Sequence, residues 1–439
     1  MYDVLDEPLI SLTLDHEPHR GSLPDVFAWL SGGQEVQFTA LRPHQHHPWH
    51  AFLVQLAAIA LERGEHDGFP TDPATWRSLL FGLTEGKREP WCLVVDDLSA
   101  PALLQPPVPE GTLSNFTTVP TPDALDILLT TRNFDLKAQR IVHAAPEHWL
   151  FALVTKQTFE GYSGKLNYGV ARMNGGQANR PCVAVAPSRA WAPRFRRDVR
   201  VWLEQRGALI EGYAYDARGA VLLWLIPWDG TKSLPRPSLD PFFIEICRRI
   251  RLTHSTAIAA WRSTSRIARI DATDHAGDTG DIWTPTQKSN KKSGNASLTV
   301  PASGFNYRKL ADLLFGDDWH PAPAQKLRNE DSPAPVVIAQ ALVRGQGKTE
   351  GYHERIVPIP GKARRIFASA DGPAQLGERA KIRSNRVDEV SRSLLKPAIL
   401  TLFQGVRDKK LDLRDTRADP WIDRFETRVD DIFFDELFH

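Results

Sequence analysis

At 439 residues, 42% of them hydrophobic and 24% charged, the chain has the composition of a folded protein with two or three domains, not of a disordered one. A formal net charge of +1 excludes a wholly cationic nucleic-acid binder, and three scattered cysteines (Cys92, Cys182, Cys247) exclude a zinc cluster or a disulfide framework. No apolar run approaches the roughly 20 residues that span a bilayer, and the acidic N-terminus has no secretory h-region, so a cytoplasmic protein without membrane contact is expected.

In chain order, Pro8 to Leu14 reads as a strand and Leu23 to Leu30 as a helix with Pro24 in its first turn. Trp49 to Leu61, apolar on most sides, reads as a buried helix, and Asp72 is placed to cap another over Pro73 to Leu83. Residues 99–122, rich in Pro, Ser and Thr, read as an extended crossing loop. Thr121-Pro122 opens a helix through Leu129 that breaks over 130–136, and Pro146 opens another through about Thr158. A Gly-rich loop then leads to a strand at Cys182 to Val185 and a helix marked by Trp191, Phe195, Val199 and Trp202. Leu209 to Tyr215 and Val221 to Ile226 alternate about Asp216-Ala-Arg-Gly219 and predict a hairpin; Phe242 to Leu252 predicts one more strand. Residues 271–304 are polar and predict a mobile exposed loop. Asn306 to Phe315 predicts a short helix, and Pro335 to Val343 and His353 to Ile359 predict two strands joined through 344–352. After Pro360 the periodicity is helical to the end. The expected class is α+β: a mixed α/β body over 1–360 and a helical domain over 361–439, without internal repeats.

The segment from Glu160 to Arg180 concentrates the chemistry. It combines glycines, amides and cations, with no carboxylate after Glu160. Glycine lets a backbone approach a ligand closely, while Asn, Gln and Arg supply donors, a combination suited to a grooved polyanion. Lys156, Lys165, Arg172, Arg180, Arg189, Arg194, Arg196, Arg197 and Arg200 surround it against Glu160 and Asp198, which predicts one nucleic-acid-facing basic surface or a solvated basic face.

Gly345-Gln-Gly-Lys-Thr349 is not a phosphate-binding loop. Position 342 is Leu where the motif needs Gly, and the sequence after Thr349 is strand-like where it needs a helix. A tight turn presenting Gln346 beside Lys348 remains, the shape of a groove wedge or a base-edge reader. His44-Gln-His-His-Pro-Trp-His50 has metal-ligand character, with His46 and His50 at helical spacing, but no HExxH pattern; helix-start and core histidines are the expectation. The alternative is a metal-dependent nuclease or phosphohydrolase using His44, His46, His47 and His50. Phe134, among polar neighbours, stacks on a base or staples its loop to the core.

Several stretches together resemble CasA, the large subunit of the type I-E CRISPR surveillance complex Cascade. They are Leu41-Arg-Pro-His-Gln45 into Phe52-Leu-Val-Gln-Leu-Ala57, Leu129-Thr-Thr-Arg-Asn-Phe-Asp135, Phe151-Ala-Leu-Val154 into Asn167-Tyr-Gly-Val-Ala-Arg-Met-Asn-Gly-Gly176, and Arg344-Gly-Gln-Gly-Lys-Thr-Glu-Gly-Tyr-His-Glu-Arg355. The resemblance spans residues 8 to about 360 and, less clearly, the helical tail. It implies a non-catalytic subunit, without cofactor, that recognises the protospacer-adjacent motif (PAM) in double-stranded DNA, mainly through the minor groove. Such a subunit then helps open the duplex so that guide RNA can pair, a division of labour in which base pairing carries sequence specificity. The implied partners are the other Cascade subunits, the CRISPR guide RNA, double-stranded target DNA, and a helicase-nuclease or another nuclease component.

Residue by residue, the resemblance assigns the minor-groove glycine loop to Gly161, Tyr162, Ser163, Gly164, Lys165 and Asn167. It assigns the glutamine wedge to Gln346 with Gly345, Gly347 and Lys348. A lysine finger falls on Lys288, Lys291 or Lys292, without a choice among them. The loop docking on the guide-RNA end of the complex falls on Asn133, Phe134, Asp135 and Leu136. With no cysteine after Cys247, the zinc knuckle of some members is not expected. The helical tail looks short for the family's four-helix bundle, so contact with the small subunits and recruitment of the helicase-nuclease are not carried over; one reading is that a nuclease carried elsewhere cleaves the DNA.

Overall fold

The computed structural model describes residues 1–439 other than 129–140, 142, 177, 289–293, 329–330, 346–347, 370 and 406–410. β1 (Ile10–Leu14) pairs antiparallel with β2 (Glu17–Gly21) on one side and β3 (Val36–Phe38) on the other. Between them, α1 (Leu23–Gly32) starts at a capping box, with the Asp25 amide donating to Ser22 Oγ and the Asp25 carboxylate accepting from the Ser22 amide. α2 (His46–Arg63) is buried on nearly every side and forms the axis of the body, and α3 (Pro73–Gly82) starts where the Asp72 carboxylate accepts from the Thr75 amide. A long irregular stretch contains β4 (Thr117–Val119) and the single turn α4 (Pro122–Leu125).

The middle of the chain adds α5 (Pro146–Phe159), β5 (Cys182–Ala186) and α6 (Trp191–Tyr213). It continues through β6 (Ala220–Leu222), β7 (Leu234–Pro235), β8 (Leu239–Ile244), β9 (Arg249–His254), β10 (Ile258–Ser263) and β11 (Ile270–Asp271). β6 runs parallel to β8, and β10 lies between β4 and β9. Then follow β12 (Thr286–Lys288), β13 (Asn295–Ser297), α7 (Tyr307–Phe315) and β14 (Trp319–His320). β15 (Val336–Gly345) and β16 (Lys348–Pro358) form a long antiparallel hairpin, with β5 on the other edge of β15. The chain ends with α8 (Gly361–Phe367), α9 (Gly372–Glu389), α10 (Lys396–Gln404) and α11 (Asp419–Phe438).

Among the described residues two large apolar cores form beside two small clusters, and β5 contributes to both large ones. Its period-2 alternation sends Cys182 and Ala184 into the larger core, with Trp49, Phe52, Phe195, Trp202 and Trp283, and sends Val183 and Val185 into the second. That second core joins Val337, Ala339, Ala341 and Val343 of β15 to Leu310 of α7, Leu376 of α9 and Phe433, Phe434 and Leu437 of α11. It therefore crosses position 360. Each fully buried large side chain contributes roughly 1.5–3 kcal/mol. A π-helical segment at Val390–Leu395 links α9 to α10. Pro397, just beyond it, has no amide hydrogen for the i→i−4 ladder, which accounts for the widened turn.

Four expectations are corrected. Leu209 to Tyr213 belongs to α6, which ends on Ala214 in the left-handed region, and β6 pairs parallel with β8, so there is no hairpin about Asp216-Gly219. Spacing of apolar residues at 209 and 213 fits a helix as well as a strand, and the preceding helix wins by propagation. The stretch from Phe242 to Leu252 is two strands, broken where Glu245 and Arg248 turn to buried ion partners. Of residues 271–304, Ile282, Trp283 and Leu298 are buried, and β12 and β13 pair; only part of this stretch is surface. The helix opened by Thr121-Pro122 closes after one turn, because Asp126 turns its carboxylate to His44 and Gln45.

Candidate nucleic-acid interface

The Gly-rich loop leaves α5 at Glu160 and returns at Asn179, where the two limbs form an antiparallel bridge. The Gly161 amide donates to the Ala178 carbonyl (2.8 Å) and the Val170 amide to the Glu160 carbonyl (2.9 Å). Glycine is required at this base because backbone crosses backbone: a Cβ on Gly169 would lie 2.3 Å from the carbonyl carbon of Gly161. The tip is closed by its own bonds, Ser163 amide to Asn167 carbonyl (3.0 Å) and Asn167 amide to Gly164 carbonyl (2.9 Å). There the surroundings are open. Gly164 has φ +120°, a Cβ on it would meet nothing within 4 Å, and Lys165 is exposed.

The loop is also moored from a segment that sequence reasoning left out. The Ser265 amide donates to the Leu166 carbonyl (3.1 Å), and the Tyr168 hydroxyl donates to the Arg266 carbonyl (3.1 Å). A polar cleft of about 580 Å³ opens between Leu166, Gly230, Arg249, Ser265 and Arg266. Nothing in the sequence around 262–266 marks it, since these bonds end on backbone carbonyls and the one from Tyr168 spans 98 positions.

The expected basic surface around the loop is largely absent. Of its nine cations, Lys156, Arg172, Arg180, Arg194 and Arg197 are buried. Arg172 pairs with Glu245, Arg180 with Asp281 and Arg197 with Asp331, while Arg194 donates to Gln340 Oε1. Burying an unpaired guanidinium is prohibitive, so each of these residues is a structural cation with a partner. Lys165, Arg189 and Arg200 remain exposed.

Glu160 is the anchor of the loop. Its buried carboxylate accepts from Lys156 Nζ (2.9 Å), Arg248 Nε (2.9 Å) and Arg344 (2.9 Å). Burial by itself would raise the carboxyl pKa; the charges of Arg248, Lys156 and Arg344 outweigh it and hold Glu160 well below the usual carboxylate range. Arg248 also donates to the Gly161 carbonyl and the Ser163 hydroxyl, both at 3.1 Å. The only sequence signal was the i,i+4 spacing of Lys156 and Glu160.

Other assigned positions fall around this anchor. The β15–β16 hairpin brings Gly345 opposite Lys348, and a strand follows Thr349, which removes the helix a phosphate-binding loop needs. Gln346 and Gly347 lie outside the described residues. Asn179 ties the returning limb of the loop to β15, its amide donating to the Leu342 carbonyl and its side-chain oxygen accepting from the Leu342 amide. Lys288 is exposed at the end of β12; Lys291 and Lys292 lie outside the described residues. Gly277, ahead of β12, packs against Ser297 at the end of β13 and abuts the backbone of Met173 and Asn174 in the loop. Asn133, Phe134, Asp135 and Leu136 are outside the described residues; Leu128, just before them, accepts from Thr349 Oγ1 at 2.9 Å.

The histidines of 44–50 diverge. His44 bonds Asp126 (2.7 Å), His47 bonds Asn179 (2.9 Å), His50 bonds Asp198 (2.8 Å), and His46 packs edge-on against Trp191. Burial, reinforced by Arg194, pushes the His50 pKa down to about 4, so at neutral pH a neutral imidazole donates to Asp198. Among the described residues no group of three or more His, Cys, Asp or Glu converges on a common point that could hold a metal.

No family model matches the sequence, and no curated protein matches it. Solved structures match in fold. CasA of Thermus thermophilus superposes with a TM-score of 0.62 at 14% identity, covering 100% of this chain and 89% of that one. The CRISPR-associated protein Cse1 of Acidimicrobium ferrooxidans gives 0.62 at 14% identity, over 99% and 85%. Thermobifida fusca Cse1 gives 0.63 at 13%, over 99% and 86%. The chain has the CasA/Cse1 fold over its full length.

Proposed function

We propose that this chain is the non-catalytic large subunit of a type I-E CRISPR surveillance complex, that it recognises the PAM in double-stranded DNA through the minor groove, and that it helps open the duplex for guide-RNA pairing. One observation carries the reading: within a CasA/Cse1 fold, a loop with a rigid backbone-on-backbone base presents an open glycine tip beside an exposed lysine. Minor-groove readout suits a backbone without side chains in the way, and it separates mainly A·T from G·C. Lys165 and the lysines of 288–292 supply phosphate contacts, so affinity falls steeply with salt. Gln346, which follows Gly345 in the sequence, is the wedge; unstacking one base step costs on the order of a few kcal/mol, which these cations help to offset.

The partners are the other Cascade subunits, guide RNA, target duplex and a nuclease component, in the cytoplasm; among the described residues no helix is long and apolar enough to cross a membrane. Residues 133–136 dock on the guide-RNA end, residues 1–360 carry the reading loops, and 361–439 form the helical part. The test is target binding by the reconstituted complex. Gly164→Asp, which adds bulk and a negative charge, abolishes duplex binding; Gln346→Ala slows strand opening more than encounter. Unchanged binding and opening in both variants would refute the assignment.

A further inference from the structure

The root of the glycine loop, Glu160, and Arg344, next to last in β15, are 184 positions apart, yet a single chain of polar contacts joins the glycine loop to the end of β15. It runs from the Ser163 hydroxyl and the Gly161 carbonyl through Arg248 to the Glu160 carboxylate, and from there to Arg344, the residue before Gly345. All of its members except Ser163 are buried or nearly so; even Arg344 exposes only 12% of its side chain. Charge-assisted bonds are shorter and about twice as strong as neutral ones, and exclusion of water strengthens them further. Lys156 holds the same carboxylate from α5, so Glu160 has no freedom to follow one partner away from the other. Surface loops otherwise drift independently of one another.

We propose that Arg248, Glu160 and Arg344 are positioning residues that fix the offset between the glycine loop and the end of β15, so that the groove-reading tip and the proposed wedge residue, Gln346, meet the same duplex in one register. This rests on the function proposed above. Neither Glu160 nor Arg344 touches DNA in it; they act through the two tips. Their loss uncouples opening from encounter, whereas loss of a tip itself weakens whichever step that tip performs. Arg344 is the discriminating position, because removing it leaves Glu160 paired with Lys156 and Arg248 and spares the core.

The experiment compares wild type, Arg344→Met and Arg344→Lys in the reconstituted complex. Encounter is read as equilibrium binding to a PAM duplex at fixed salt, and opening as 2-aminopurine fluorescence at the base pair next to the PAM. Loss of one bond to a charged group predicts that Arg344→Met slows opening about tenfold or more while encounter changes about twofold or less. Arg344→Lys, which keeps the charge but not the fork, restores part of the rate. Equal losses in both steps, or none in opening, overturn the proposal. Amide exchange across 161–169 in the isolated chain is a separate readout: it rises in Arg344→Met, and an unchanged rate also overturns the coupling. If wild-type complex shows no PAM-dependent binding, the proposed function fails while the exchange result still decides the coupling. Should Arg344→Met not fold, the Arg344→Lys comparison with wild type carries the same outcomes.

Discussion

The histidine segment 44–50 and the loop 161–169 are both polar, motif-like stretches, and the fold treats them in opposite ways. His44, His47 and His50 each bond through Nε2 to a residue far along the chain, and the cluster dissolves into separate core contacts. The loop satisfies its own backbone at the base and leaves its tip, Gly164 and Lys165, facing open space. Polar groups that already have partners hold a fold together; polar groups and bare backbone without neighbours are available to a ligand.

The sharpest way to break this contrast is to substitute the glycines of the loop. Gly169→Ala drives a Cβ into the Gly161–Tyr162 backbone and is expected to destabilise the protein by about 3 kcal/mol, since packed backbone cannot yield. Gly164→Ala meets no neighbour, and its strained φ costs on the order of 1 kcal/mol. Denaturant unfolding of both variants checks the difference; similar losses would mean that base and tip are not distinct.

The histidine side is tested by pH. His50 has a folded pKa pushed down to about 4 by burial, below its ordinary 6.5. Below pH 6.5 the unfolded chain takes up a proton that the folded chain refuses, so stability is full above 6.5 and falls as the pH drops toward 4. His50→Gln keeps a donor for Asp198 and removes this titration, and it is expected to flatten the decline by on the order of 2 kcal/mol. His47, also held well below its usual value by burial, contributes a residual slope in the same direction. Identical pH profiles for wild type and His50→Gln would show that His50 is not a buried neutral group.

The smallest expected effect separates exposed from buried cations. Lys165→Ala lowers the salt slope of duplex binding by about 1 and leaves stability within about 0.5 kcal/mol. Arg172→Ala, at a buried ion pair, has the reverse profile, with a stability loss of about 3 kcal/mol or more. Titrations in salt and denaturant give both numbers for each variant.

Elements with local signals were legible. Asp72 before Pro73, Asn306 before Tyr307 and the aromatic spacing from Trp191 to Trp202 all mark helices where the structure has them. Each depends on contacts within a few residues. The inward turn of the basic segment was not legible, because its partners lie far away: Glu245 is 73 positions from Arg172, Asp281 is 101 from Arg180 and Asp331 is 134 from Arg197. Composition records how many cations are present but not which carboxylate each will meet. The same distance hid Glu160, whose bond to Arg344 spans 184 positions. Alternation failed at Leu209 to Tyr215 for a different reason, since apolar residues four apart suit both helix and strand.

The most direct test uses the fact that Cys92, Cys182 and Cys247 are all buried, with thiol pKa values pushed up to about 12 by burial. A single cysteine at position 165 (Lys165→Cys) can then be labelled selectively with an iron chelate and the variant assembled on target DNA. Hydroxyl-radical cleavage confined to the PAM and its adjoining minor groove, and absent without the PAM, is the expected result. Cleavage elsewhere on the duplex, or none at any position, would mean that this tip does not read DNA.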